Sequence, residues 1–199
     1  MNENTEKKII AFTSQSLREQ GIHAVRMDDI ARNMNMSKRT IYQTYTTKEN
    51  LIYTCMQGYQ DRIVNMFHII KYDFPDIVEY FWAVSKAYIE NLYKAKYVFW
   101  FDILRDSRYR YIHNSYNRIW SGELEKIILA CQKEKLVMSD LRAKIFIESL
   151  TVLLYNARFA ECMPSVLYRS AYFMLRGIMT ESGLKRFDRI PFEEERTSL

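Results

Sequence analysis

Apolar residues recur at helical spacing along almost the whole chain. From residue 48 onward Leu51, Ile52, Cys55, Tyr59, Ile63, Met66, Phe67 and Ile70 follow one another three and four apart. That period predicts a helix of about six turns running unbroken to about residue 70. Residues 76–93 carry two apolar stripes, Ile77, Phe81, Tyr88, Leu92 and Val78, Trp82, Ile89, Tyr93, as expected of a central, buried helix. A short and almost wholly apolar run, YVFWFDIL at 97–104, is followed by a charged joint over 105–111, which leads into a long helix to about residue 135 with Ile112, Ile119, Leu124, Ile128 and Cys131 inward. Two further helices are expected over 139–162 and 165–182, parted by Pro164. Beyond residue 183 the mixed composition reads as a frayed tail, 184–199. At the other end residues 6–20 form a first helix with Ile9, Ile10, Phe12, Thr13, Ser16 and Leu17 inward, closed by Gly21.

The stretch from 28 to 51 has a finer pattern. Met27, Ile30, Ala31 and Met34 make one apolar stripe of a short helix. Asn35 stands where the chain must reverse, and Asn tolerates the left-handed conformation better than most residues. Ser37, with Thr40 three residues on, is placed to cap the next helix. There Ile41 and Tyr45 point inward, while Lys38, Arg39, Tyr42 and Gln43 fall on the outer face, and no acid occurs from 37 through 48. A short helix with such a face suits a DNA major groove, so the stretch reads as a helix-turn-helix.

These residues resemble the tetracycline-repressor (TetR) family of bacterial regulators. The matching pieces are Leu17 to Gly21, Asp29-Ile30-Ala31, Ser37-Lys38-Arg39-Thr40-Ile41-Tyr42, Tyr45, and Thr47-Lys48-Glu49-Asn50-Leu51. The match covers about the first quarter of the chain. Departures are Arg26 at a usual Ser/Thr cap, Asn35 for the turn glycine, Arg39 for a common glycine, and Thr44 for an aromatic that often touches phosphate in relatives. Phe12 and Thr13 replace small alanines. The candidate DNA contacts are then Arg26, Met27, Lys38, Arg39, Thr40, Tyr42, Gln43, Thr44 and Lys48. Gln43 can pair bidentately with adenine, Lys38 or Arg39 can read guanine, and Lys48, Thr40 and Tyr42 suit phosphate.

Composition narrows the class. Five glycines and three prolines in 199 residues favour long helices, so the fold class is all-α. The net charge of +5 fits a polyanion partner without requiring one. Cys55, Cys131 and Cys162 are odd in number and sit in apolar helical patterns, which argues for buried thiols in a reducing cytoplasm. Met1 to Lys8 is too polar for a signal peptide, and no apolar run of about 18 residues is present. A cytoplasmic protein without a membrane span is expected. His23, His68 and His113 are isolated, so no metal or other cofactor is expected. With no nucleophile motif, phosphate loop or carboxylate pair, an enzyme is not expected either.

The expected organisation is a DNA-binding domain over 1–50 and a ligand-binding and dimerisation domain over 51–183. The second domain is rich in aromatics, and the resemblance implies a pocket between its helices. Trp82, Tyr88, Trp100, Asp102, Tyr116 and Trp120 are the candidate ligand residues. Asp102, a carboxylate inside an apolar run, must be exposed, paired or aimed at a ligand, and Arg105 three residues on offers a salt bridge. In the family the last two helices pair with their copies, which implies an interface of Leu150, Leu154, Ala157, Ala171, Leu175 and Ile178. The expected function is a homodimeric transcription regulator on a palindromic double-stranded operator. A repressor released by a small, largely apolar effector is the leading form. The competing reading is an all-α binding module that contacts a protein instead of DNA.

Overall fold

The computed structural model describes residues 3–191, and within them the regular structure is helical. It comprises α1 (Glu3–Gln20), α2 (Met27–Asn33), α3 (Lys38–Thr44), α4 (Lys48–Asp73), α5 (Ile77–Tyr93), α6 (Tyr97–Arg105), a 3-10 turn (Ser107–Tyr109), α7 (Arg110–Lys133), α8 (Ala143–Phe159), α9 (Pro164–Arg176) and α10 (Glu181–Phe187). No helix among the described residues is long and apolar enough to cross a membrane. They also contain no group of three metal-ligating side chains.

The helices fall into two compact units, and α4 and α7 each contribute to both. The first unit takes, of the described residues, 3–64 and 94–116. Its core gathers Ile9, Leu17, Ile30, Ile41, Leu51, Cys55, Phe99, Trp100 and Ile103, all buried. The packing therefore departs from a boundary at residue 50, because α6 and the 3-10 turn join the N-terminal helices. The Lys96 N–H donates to the Arg18 carbonyl at 2.8 Å, and the His23 N–H donates to Asp102 Oδ2 at 3.0 Å.

The second unit takes, of the described residues, 65–93 and 117–191. Helix α5 is its centre, as the two stripes predict, with eleven of its seventeen residues buried. Two expected helices are shorter than their apolar pattern. Helix α8 starts only at Ala143, because Gln132 Nε2 holds the Met138 and Leu141 carbonyls at 2.8 and 2.9 Å and keeps that loop from coiling. The run expected to end at 182 breaks after Arg176. There Met179 makes an antiparallel bridge with Val137, and Thr180 caps α10 by accepting the Gly183 N–H.

The expectation of a frayed tail from 184 is corrected by α10, which continues to Phe187 with its ring fully buried. A Cβ on Gly183 would lie 2.0 Å from the Leu136 carbonyl oxygen, so only glycine lets α10 approach the end of α7 this closely. Residues 192–199 of that expected tail lie outside the described residues. Burial pushes the Cys55 thiol up to about 11 and the Cys131 thiol up to about 12, so both stay protonated at neutral pH.

Candidate nucleic-acid interface

The reversal between α2 and α3 is made by Asn35 in the left-handed region, at φ 51°. The Met36 N–H closes the turn on the Ala31 carbonyl at 2.9 Å. Ser37 then caps α3, its Oγ accepting the Thr40 N–H at 3.1 Å and lying 2.8 Å from the Thr40 hydroxyl. Both features are as the residues predict. Ile41 and Tyr45 are buried beneath α3, while Arg39, Tyr42 and Gln43 stand exposed on its outer face. Arg39 forms no ion pair among the described residues, so its guanidinium is available to an incoming ligand. A guanidinium and an amide carried on one rigid helix offer two bidentate groups to base edges.

The other candidates divide. Arg26 is exposed at the N-cap of α2 and makes no side-chain cap, its backbone carbonyl accepting the Asp29 and Ile30 N–H groups instead. Lys38 is exposed but ion-paired with Asp28, which ties α3 to α2. Thr44 is exposed, and its hydroxyl donates to the Thr40 carbonyl at 3.3 Å.

Two residues turn inward. Met27 is only 6 % exposed, because it is the first member of the apolar stripe it shares with Ile30 and Ala31 and faces the core. Lys48 turns inward, its Nζ donating to the Ile22 carbonyl at 2.6 Å. Burial, partly offset by Glu49, holds that amine below its ordinary range. That bond braces the start of α4.

A further brace escapes the sequence. The Tyr45 hydroxyl reaches Glu6 Oε1 on α1 at 3.4 Å, and burial, followed by the Glu6 charge, raises the phenol to about 12. The signal available is a Tyr at an inward position, which implies a polar partner for its buried hydroxyl.

The six candidate ligand residues separate between the two units. In the first, Trp100 packs against Tyr116 with ring centroids 4.8 Å apart. Asp102 serves the turn after α1, since its Oδ2 holds the His23 N–H. Arg105, offered as its salt-bridge partner, lies over the Phe101 ring at 5.8 Å. In the second unit Tyr88 stacks on Trp120 at 4.7 Å and 13°, with Phe67 edge-on to Trp120 at 5.1 Å. The Tyr155 hydroxyl is 3.1 Å from Asn117 Oδ1 and the Tyr88 hydroxyl 3.4 Å from it. Trp82 differs from the others: it borders a groove of about 540 Å³ between α5, the end of α4 and α9.

The expected interface residues also face inward. Leu150, Leu154, Ala171, Leu175 and Ile178 are buried within the single chain, and Ala157 is partly so. The apolar side chains that α8 and α9 leave exposed are different ones: Ile145, Val152, Val166 and Phe173, the last two 55 % and 62 % exposed.

Residues 9–53 match the model of the bacterial regulatory proteins of the tetR family. None of the curated proteins matches the chain. Solved structures share the fold at low identity. A protein of Saccharomonospora viridis described as a transcriptional regulator, in complex with choline, superposes with TM-score 0.78 at 14% identity, covering 90% of this chain and 100% of its own. A TetR transcription regulator from Haloarcula marismortui gives 0.75 at 16% identity, with coverage of 90% and 100%. A TetR-family regulator from Agrobacterium tumefaciens gives 0.73 at 13%, with 89% and 99%. The spaced residues of the N-terminal helices and their observed helix-turn-helix geometry agree with that match, so residues 9–53 form the helix-turn-helix segment of the tetR family of bacterial regulatory proteins, on a fold shared with TetR-family transcription regulators.

Proposed function

We propose that the protein is a homodimeric repressor that leaves a palindromic operator when a small molecule binds its C-terminal domain. The observation that carries the DNA half of this reading is the exposed Arg39–Tyr42–Gln43 face on a helix capped by Ser37. One such helix reads too few base pairs to select a genomic site, and a two-fold dimer on half-sites one helical turn, about 34 Å, apart removes that difficulty. Residues 1–50 supply the DNA-binding domain in this scheme, and 51–183 the sensing and pairing surfaces. The choline held by the Saccharomonospora viridis protein supports a small-molecule effector for a fold of this kind.

The pairing surface is assigned to the exposed Ile145, Val152, Val166 and Phe173, in place of the inward Leu154 set. The effector acts by favouring a spacing of the two recognition helices that no longer fits successive major grooves, and it shifts that equilibrium only as far as it prefers one conformation.

Titration of specific and random duplex DNA at two salt concentrations tests the reading, since a DNA binder loses affinity steeply with salt. Gln43→Ala is expected to relax selectivity at one operator position, at about 1–3 kcal/mol. Phe173→Arg is expected to give helical monomers that no longer hold the operator. A protein that ignores DNA at low salt contradicts the proposal and favours a protein-binding module.

A further inference from the structure

The groove beside Trp82 has a charge pattern that selects its ligand. One face of α5 supplies Glu79, Trp82, Ala83, Lys86, Ala87 and Glu90, spaced three and four apart. Ala83 and Ala87 are the small members of that face, and the space their side chains leave makes the trough. Met66, Ile70 and Phe74 of α4 and the turn after it form an apolar wall opposite, and Tyr168 of α9 adds an aromatic one. At about 540 Å³ the groove has the size of a small-molecule site.

Ile190 and Pro191 also line it, and among the described residues its charges are two carboxylates and one ammonium. Glu79 and Glu90 stand eleven residues apart on α5, roughly 16 Å along the helix axis. Lys86 lies 3.9 Å from Glu90 Oε1 and 5.6 Å from the centroid of the Tyr168 ring. The lysine thus already demonstrates a cation position, between a carboxylate and the face of an aromatic ring. An anionic ligand would meet two like charges here, whereas a cation with an apolar body finds complementary partners along the whole trough.

We propose that this groove binds a lipophilic cation, such as a quaternary ammonium on an alkyl body. The charged head takes the Glu90–Tyr168 position in competition with Lys86. The apolar body lies over Ala83 and Ala87 against α4 and Trp82. Only the consequence for DNA rests on the effector reading above; the binding itself does not.

Calorimetric titration of the full chain with decyltrimethylammonium, 1-decanol and decanoate, all below micelle formation, tests the assignment. The cation is expected to bind one per chain, roughly five- to tenfold tighter than the alcohol or the acid. Glu90→Gln should weaken the cation severalfold, and Lys86→Gln should tighten it, because the resident competitor is gone. A merely apolar groove predicts equal binding of cation and alcohol, and either that equality or weaker binding by Lys86→Gln overturns the proposal. Operator affinity measured with decyltrimethylammonium separates the two readings. Binding that releases DNA supports both, whereas binding that leaves operator affinity unchanged supports the groove and overturns its role as the effector site.

Discussion

Gly21 and Asn35 both adopt the left-handed conformation, at φ 83° and 51°, and both end a helix of the N-terminal module. What holds them is different. Around Asn35 every stabilising contact is local: the Met36 N–H on the Ala31 carbonyl, the Ser37 cap on Thr40, and the Lys38–Asp28 pair. Around Gly21 the partners come from far along the chain. Asp102 accepts the His23 N–H and would stand 2.6 Å from a Cβ at position 21. Lys48 holds the Ile22 carbonyl, and the Lys96 N–H holds that of Arg18. The turn that shapes the recognition helix is thus written in about a dozen adjacent residues, while the turn after α1 is where α6 grips the module. Substitutions at the first turn should alter DNA reading with little effect elsewhere, and substitutions at the second should loosen the joint to α6.

That contrast orders the expected effects. Gly21→Ala should cost most, about 3 kcal/mol, because a left-handed alanine is strained and its Cβ meets the Asp102 carboxylate. Urea unfolding measures it, and a loss below that of Asn35→Ala would break the comparison. Asp102→Ala comes next at about 2 kcal/mol, since the His23 N–H loses a charged acceptor. Asp102→Asn keeps an oxygen there and should recover most of the loss.

Lys48→Ala should cost about 1 kcal/mol of stability. Its DNA titration is the sharper readout. A brace leaves the salt slope unchanged, whereas a phosphate contact would lower it by about one unit. Asn35→Gly is the smallest change, within about 0.5 kcal/mol and stabilising if anything, because the turn already has the backbone that glycine accepts freely.

Features whose cause is local are legible in the amino-acid sequence. Ser37 with Thr40, Asn35 at the reversal and Gly21 after Leu17 each carry their own backbone chemistry. Features that need a distant partner are not. Nothing adjacent to Lys48 announces the Ile22 carbonyl, and nothing near Tyr45 announces Glu6. Apolar periodicity also fails to distinguish a chain's own core from a face left open, where one helix has both. On α8 the period of Leu150 and Leu154 is as clear as that of Ile145 and Val152, yet the first pair is buried and the second exposed. Asp102 stands out correctly as a carboxylate in need of a partner, but that partner is a backbone N–H some eighty residues away.

The position of α10 imposes an order on synthesis. Trp82 packs edge-on to Tyr172 and Phe187, and the end of α7 is seated by Gly183 against the Leu136 carbonyl. Helix α5 is therefore complete at residue 93, some ninety residues before its last neighbour is made. At about 5–20 residues per second a ribosome leaves that apolar surface without its final cover for roughly 5–20 s. The first unit draws on no described residue beyond 116, so all its partners are made while the second still lacks its last helix. During that interval the nascent chain presents Trp82 and its neighbours to whatever binds exposed apolar surface in the cell, so the yield of native protein depends on how quickly translation reaches Phe187.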